Sequence, residues 1–262
     1  MKAKKEESKV DLQVIETPQE KKKDILVLSP SRVKTFISCP RKYYYTYIKR
    51  LTRKDWAHFA LGTFCHGVLE QFHKNFKKDA DKPNLKKLMT ECFKTQIGKD
   101  KNLTAEVLLE AKELMSGYLN RIIDFGIGAE ILSLEEPFLL SLNSKFSLQG
   151  VLDRIDLEND IYHIKDYKTT KSMKYMDDFQ LKTYGIYLIG KYPEIDRFRG
   201  SYVMLRHSGT LVPYDFNRED VEKSKKQLIE YGEKIQAEGR WSPCQSNLCS
   251  WCDFEQTCLS TW

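Results

Sequence analysis

Apolar positions along this chain change their period near its midpoint. From Leu61 to His73 they fall at Leu61, Phe64, Cys65, Val68, Leu69 and Phe72, the three- and four-residue spacing of a helix with one buried face. Residues 84–97 and 104–125 carry the same spacing, and Gly126 and Gly128 close the second of these helices. Further upstream, Ser29-Pro-Ser31 offers a cap for a helix over Arg32–Ile37, and Cys39-Pro40 interrupts before a second one over Arg41–Arg50. From Glu130 the period becomes two. Ile131–Ser141, Phe146–Leu157 and Ile161–Lys168 read as strands, the last two joined through the turn-like Glu158-Asn-Asp160. A helix from about Tyr175 to Gly190 comes next, then a hairpin of Arg199–Arg206 and Thr210–Phe216 turning at His207-Ser-Gly209, then a long helix over Arg218–Glu238. This order predicts an α/β fold: a central mixed β-sheet flanked by helices, with a largely helical N-terminal half.

Composition narrows the class. A chain of 262 residues with 41% hydrophobic content can bury a sizeable core within one large domain. Residues 1–28 are rich in Lys and Glu and lack periodicity, so they read as a disordered charged tail. No apolar run is long enough to span a bilayer, and the N-terminus is charged rather than signal-like. A cytoplasmic, membrane-free protein is therefore expected. In that compartment seven cysteines point to metal, cluster or incidental roles rather than to disulfides. The net charge of +6 is compatible with a polyanionic partner but does not specify one.

The candidate chemistry sits on the strands. Alternation places Asp166 and Lys168 side by side on one face with Tyr162 and Ile164, and Asp153 on the preceding strand offers a second carboxylate. Two carboxylates can hold a hard divalent cation, and the adjacent ammonium can orient water or stabilise charge on a phosphate, which is the equipment of a nuclease. The same spacing also fits an exposed ion pair on an amphipathic strand. His66 borders an apolar stripe, as either a core histidine or a ligand, and Gln180 and Tyr184 share one helix face. Between Ser31 and Lys54 every charged residue is basic, with Tyr43, Tyr44, Tyr45 and Tyr47 interleaved. Such a segment suits a single nucleic-acid strand, with Arg41, Lys42, Tyr45, Lys49 and Arg50 as the contacts, although about half of the tyrosines are expected to pack inward. Near the C-terminus, Cys249, Cys252 and Cys258 can clamp a thiophilic metal, and a tetrahedral site needs a fourth thiolate. Cys244 would make a local zinc knuckle. Cys39 would instead close a loop of some two hundred residues, worth on the order of 5 kcal/mol in chain entropy. Cys65 and Cys92 read as small core residues.

Taken in order, Ser31-x7-Cys39-Pro, Gly62-x3-His66, Gly150-x2-Asp153-Arg-Ile-Asp156, Asp166-x-Lys168, Gln180-x3-Tyr184 and the terminal cysteine set resemble the iron-sulfur branch of the PD-(D/E)xK nucleases. That branch includes the RecB and AddB nuclease domains and the CRISPR-associated single-strand exonucleases. The resemblance covers residues 29–262 and implies a restriction-endonuclease-like core: a helical part over 29–129, a catalytic part over 130–240 and a cluster-binding tail over 241–262. It further implies His66, Asp153 and Asp166 as ligands of Mg²⁺ or Mn²⁺, Lys168 as the residue positioning the attacking water, and Gln180 and Tyr184 beside them. It favours Cys39 over Cys244, so that Cys39, Cys249, Cys252 and Cys258 would hold a four-iron, four-sulfur (4Fe-4S) cluster. The implied activity is a metal-dependent DNA exonuclease on single strands or frayed ends, serving recombination, repair or CRISPR adaptation, with proteins of those systems as partners. Alternatives are a catalytically degenerate DNA-binding protein and a subunit active only within such a complex. Three features depart from the pattern: Asp166 stands where Glu is common, Cys244 is an additional cysteine, and the charged tail over 1–28 has no counterpart. No G-x-x-x-x-G-K-[ST] motif occurs, so a complete helicase-nuclease is not expected.

Overall fold

A computed structural model of the chain describes residues 25–54, 57–78, 84–99, 103–174 and 176–259. Strand β1 (Leu26–Leu28) leads into α1 (Pro30–Ser38), whose first turn carries Pro30 and is capped by the Ser29 hydroxyl accepting from the Arg32 N–H. Cys39 separates α1 from α2 (Pro40–Tyr43), which continues into a π-helical turn, Tyr44–Ile48. Helices α3 (Ala57–Lys78), α4 (Leu85–Lys99) and α5 (Ala105–Phe125) follow, the last capped by Thr104 and ended by Gly126 at φ 71°. The second half runs β2 (Glu130–Ser141), β3 (Phe146–Glu158), β4 (Ile161–Lys168), α6 (Phe179–Lys191), β5 (Arg197–Met204), β6 (Thr210–Asn217) and α7 (Arg218–Ala237), with a short α8 (Glu255–Leu259) near the end.

Two expected boundaries move. The charged tail read over 1–28 ends too late, because Leu26–Leu28 form a strand and Leu28 is fully buried; residues 1–24 lie outside the described residues. A three-residue strand is too short to show alternation, and it gains its place by pairing with Phe146–Leu148. The helix expected from about Tyr175 begins at Phe179, and Tyr175 itself lies outside the described residues.

The sheet is mixed, and its register creates a gap. β2 lies antiparallel along one edge of β3. On the opposite edge β1 takes Phe146–Leu148 in parallel and β4 takes Arg154–Glu158 antiparallel, so the stretch 149–153 between them has no strand neighbour there. β4 pairs in parallel with β5, and β5 pairs antiparallel with β6. One face of the sheet packs on α1, α6 and α7 through Leu148, Leu152, Ile155, Ile164 and Tyr202, while the other packs on α3, α4 and α5 through Tyr167, Val203 and Leu205. No helix among the described residues is long and apolar enough to cross a membrane.

The β3–β4 ribbon is fixed from its α3 side by buried charge. Arg154 Nε donates to Asp156 Oδ1 at 2.6 Å, and Lys165 Nζ donates to Asp156 Oδ2 at 2.7 Å and to Glu158 Oε1 at 2.5 Å. His163 bridges Glu158 (3.0 Å) and Ser201 Oγ (2.8 Å). That chain has the connectivity of a hydrolase triad, but Ser201 is 0% exposed, so it cannot meet a substrate and acts as a hydrogen-bond strut. A buried ionic network adds little net stability, yet breaking one member leaves the others unpaired, so it pins the register that opens the gap.

Candidate active site

Asp153 lies where β3 and β4 part. Its Oδ2 accepts the Tyr167 N–H at 2.7 Å, taking the place a strand carbonyl would have filled one step further along the ladder. Asp166 and Lys168 follow on β4, with Lys168 Nζ 2.5 Å from Asp166 Oδ2. Helix α6 then covers the pair. Gln180 Nε2 donates to Asp166 Oδ1 at 2.7 Å and to the Tyr184 hydroxyl at 3.0 Å, while Gln180 Oε1 accepts from Lys168 Nζ at 3.0 Å. An ammonium only donates and a carboxylate only accepts, so these partners fix the amide orientation of Gln180 and, through it, the position of Lys168. Gly150 makes room for this arrangement, since a Cβ there would come within 2.7 Å of the Phe138 ring and 2.9 Å of the Tyr184 ring.

His66 arrives from α3, on the opposite layer, and reaches the site through the gap. Its Nε2 lies 3.0 Å from the Tyr167 carbonyl, which can only accept, so Nε2 carries the proton and Nδ1 faces the carboxylates. Nδ1 is 3.4 Å from Asp153 Oδ1 and 3.8 Å from Glu135 Oε1. Sequence reasoning missed Glu135. The pairs Leu134–Arg154 and Glu136–Leu152 place it opposite Asp153, on the same face, and its φ of 46° marks local irregularity in β2. Along the sequence it is one of two adjacent glutamates before Pro137, and nothing in that pattern tells which of them faces the site.

Ligand atoms of His66, Glu135 and Asp153 lie within 4.8 Å of one another. This compact group contains Glu135 where Asp166 had been expected; Asp166 lines the same cavity but is engaged by Lys168 and Gln180. Burial raises the Asp166 pKa, the Lys168 ammonium opposes that, and the Asp153 charge adds to it. For His66 burial alone would depress the pKa, but the neighbouring carboxylates of Asp153 and Glu135 lift it to about 10. An imidazole nitrogen set among carboxylates marks a place short of positive charge. Carboxylate oxygens with one imidazole nitrogen are a donor set suited to Mg²⁺ or Mn²⁺.

The basic segment divides. Tyr45, expected to offer a stacking face, is buried with its ring edge-on to Phe254 at 5.5 Å, so no base can lie on it. Tyr43 and Tyr44 stack on Trp241, and Arg41 Nε donates to the Trp241 carbonyl at 3.1 Å. Arg41 and Lys42 line a different cavity, of about 500 Å³, whereas Lys49 and Arg50 are exposed beyond the π-helical turn. That second cavity is ringed by Cys39, Cys244, Cys249, Cys252 and Cys258, with the Cys244 N–H 3.4 Å from Cys39 Sγ. Cys65 and Cys92 are buried in the α3–α5 core, and burial pushes the Cys65 thiol up to about 12, which makes it inert.

Comparison with known proteins gives this geometry a family. In an alignment of 186 positions that covers 57% of this chain, the sequence is 27% identical to a subunit of the ATP-dependent helicase/deoxyribonuclease of Clostridium perfringens, of which the match covers 16%. In an alignment of 158 positions (56% of this chain, 14% of the relative) it is 27% identical to the same-named protein of Streptococcus agalactiae. The chain thus spans about a sixth of the length of these curated relatives. A solved structure from Eubacterium rectale aligns over 86% of each chain with a TM-score of 0.49 and 12% identity. Residues 27–259 match the PD-(D/E)XK nuclease superfamily. Because that match runs from β1 through α8, the chain as a whole belongs to the PD-(D/E)XK nuclease superfamily.

Proposed function

We propose that this chain is a divalent-metal-dependent deoxyribonuclease that removes nucleotides from single strands or frayed ends. The observation that carries the reading is the convergence of His66, Glu135, Asp153, Asp166 and Lys168 on one cavity, of about 770 Å³, at the splay of β3 and β4. His66 Nδ1, Glu135 and Asp153 would hold Mg²⁺ or Mn²⁺, with Asp166 completing the acidic wall. The bound ion would polarise the scissile phosphate and lower the pKa of its water. Lys168, held by Asp166 and Gln180, orients the attacking oxygen and offsets charge gathering on the phosphate. The Tyr184 hydroxyl, whose pKa is raised by burial and then by Asp166, stays protonated and can donate to a phosphate oxygen. In-line attack that expels the 3′-oxygen would leave a 5′-phosphate.

The five-cysteine cavity supports a thiolate-bound group. Thiolates suit zinc and iron-sulfur clusters alike, and the motif resemblance favours a 4Fe-4S cluster in this cavity. Arg41 and Lys42 on its wall would offset the negative charge of the thiolates. Cys39, Cys249, Cys252 and Cys258 are the assigned ligands, and bound there the cluster would tie α2 to α8. DNA is the assigned partner. The bacterial relatives are by name parts of a helicase/deoxyribonuclease, which supports work alongside other proteins, as in a recombination or CRISPR-adaptation system. Digestion of an end-labelled single strand with Mg²⁺ or Mn²⁺, against an EDTA control, tests the activity. Metal-dependent shortening of the strand is expected, and an intact strand under both metals would refute it.

A further inference from the structure

Helix α3 turns one stripe toward the acidic cavity: Phe59, Thr63, His66 and Glu70, at spacings of four, three and four, all line it. The stripe begins with an aromatic ring. Phe64 and Phe72 on the same helix are completely buried, whereas Phe59 is 53% exposed at the lip of the cavity, braced by the His58 ring at 4.4 Å between centroids. A half-exposed phenyl in that place leaves ring surface open to a ligand. Seven residues of helix separate it from His66, about 10 Å along the axis, a distance that a strand covers within a few nucleotides of the scissile phosphate.

The walls nearest the reaction carry Glu70, Glu135, Asp153 and Asp166 beside Lys99, Lys168 and His66, so attraction for a phosphodiester backbone is offset there. An uncharged part of the nucleotide can add affinity at this lip without drawing on that balance. The face of a base is such a part, and it is open only when the base is not already stacked within a duplex.

We infer that Phe59 is a base-stacking residue: its ring receives an unpaired nucleobase within a few nucleotides of the scissile phosphate and so makes the cleft selective for single-stranded nucleic acid. The inference rests on the nuclease reading above and names the residue through which that site distinguishes its substrate. Stacking adds affinity without adding an ionic contact, so it leaves the salt dependence of binding unchanged.

The test is a double-substitution cycle on binding. The full chain, on a Lys168→Ala background that keeps the strand whole, is titrated against a fluorescein-labelled oligonucleotide with an abasic nucleotide moved one position at a time from its end. Phe59→Ala should weaken binding to the intact strand about tenfold, the scale of one base–aromatic stack. It should leave duplex binding and the salt slope unchanged, and Phe59→Trp should restore the loss. At one abasic position Phe59 and Phe59→Ala proteins should bind alike. Equal effects of Phe59→Ala at every position, or an equal loss on duplex, would overturn the assignment. Lack of cleavage by the unsubstituted chain would remove the nuclease reading alone, because the cycle reads binding whether or not the strand is cut.

Discussion

Glu135 shows how a single residue is set by its neighbours. Its carboxylate joins His66 and Asp153 only because β2 lies against β3 in the register that brings 135 opposite 153, with an irregular turn of backbone at 135 itself. Glu135→Gln keeps the size of the side chain and removes its charge, so Mn²⁺ affinity should fall by about 10- to 100-fold while the melting temperature changes little. Calorimetric titration with Mn²⁺ checks this, and unchanged affinity would take Glu135 out of the ligand set. Asp166 and Lys168 were legible because strand alternation alone puts them on one face. Glu135 was not, since register is a property of two strands and the sequence displays them one at a time. Tyr45 failed for another reason: a tyrosine among basic residues looks the same whether its ring meets a base or, as here, Phe254.

At the scale of elements, the site exists because β1 and β4 share one edge of β3 without meeting. The long helices and the five longer strands could be read from their periods, which are set by burial over many residues. β1 could not, because three residues carry no period and Leu28 is buried by a partner more than a hundred residues away. Gly150 lies in the uncovered stretch of β3 and sets how closely α6 approaches. Gly150→Ala would force the Phe138 and Tyr184 rings aside, a local overpacking of about 1–3 kcal/mol. Tyr184 and Gln180 would move with the helix and Lys168 would lose its support. Activity should therefore fall far more than stability. Parallel measurement of cleavage rate and melting temperature separates the two, and a variant that melts lower yet cuts normally would show that α6 does not position the lysine.

Over the whole molecule, the ends of the described fold meet. Tyr43 and Tyr44 stack on Trp241, Tyr45 abuts Phe254, Arg53 faces Asp253 at 3.9 Å, and Cys39 borders the same cavity as the C-terminal cysteines. The sequence announced the four assigned cysteines by spacing and resemblance, but the aromatic contacts that draw them together depend on side-chain packing and were hidden. If the cluster ties these ends, Cys39→Ala and Cys252→Ala should lower stability by similar amounts, on the order of 5 kcal/mol for so long a closed loop, and both should bleach the visible absorbance. Cys244→Ala should do neither. A colourless protein with Cys39→Ala harmless would leave the aromatic and polar contacts, without a cluster, to join the ends.

Under the proposed function, Lys168, held by Asp166 and Gln180 beside the His66, Glu135 and Asp153 group, drives hydrolysis rather than binding. Single-turnover cleavage of an end-labelled single strand in Mn²⁺, measured beside strand affinity for the unsubstituted chain and for Lys168→Ala, addresses it most directly. Metal-dependent cleavage that Lys168→Ala abolishes, with affinity nearly intact, is the expected result, since phosphate contacts elsewhere should supply most of the binding. Cleavage by Lys168→Ala at the unsubstituted rate would contradict it.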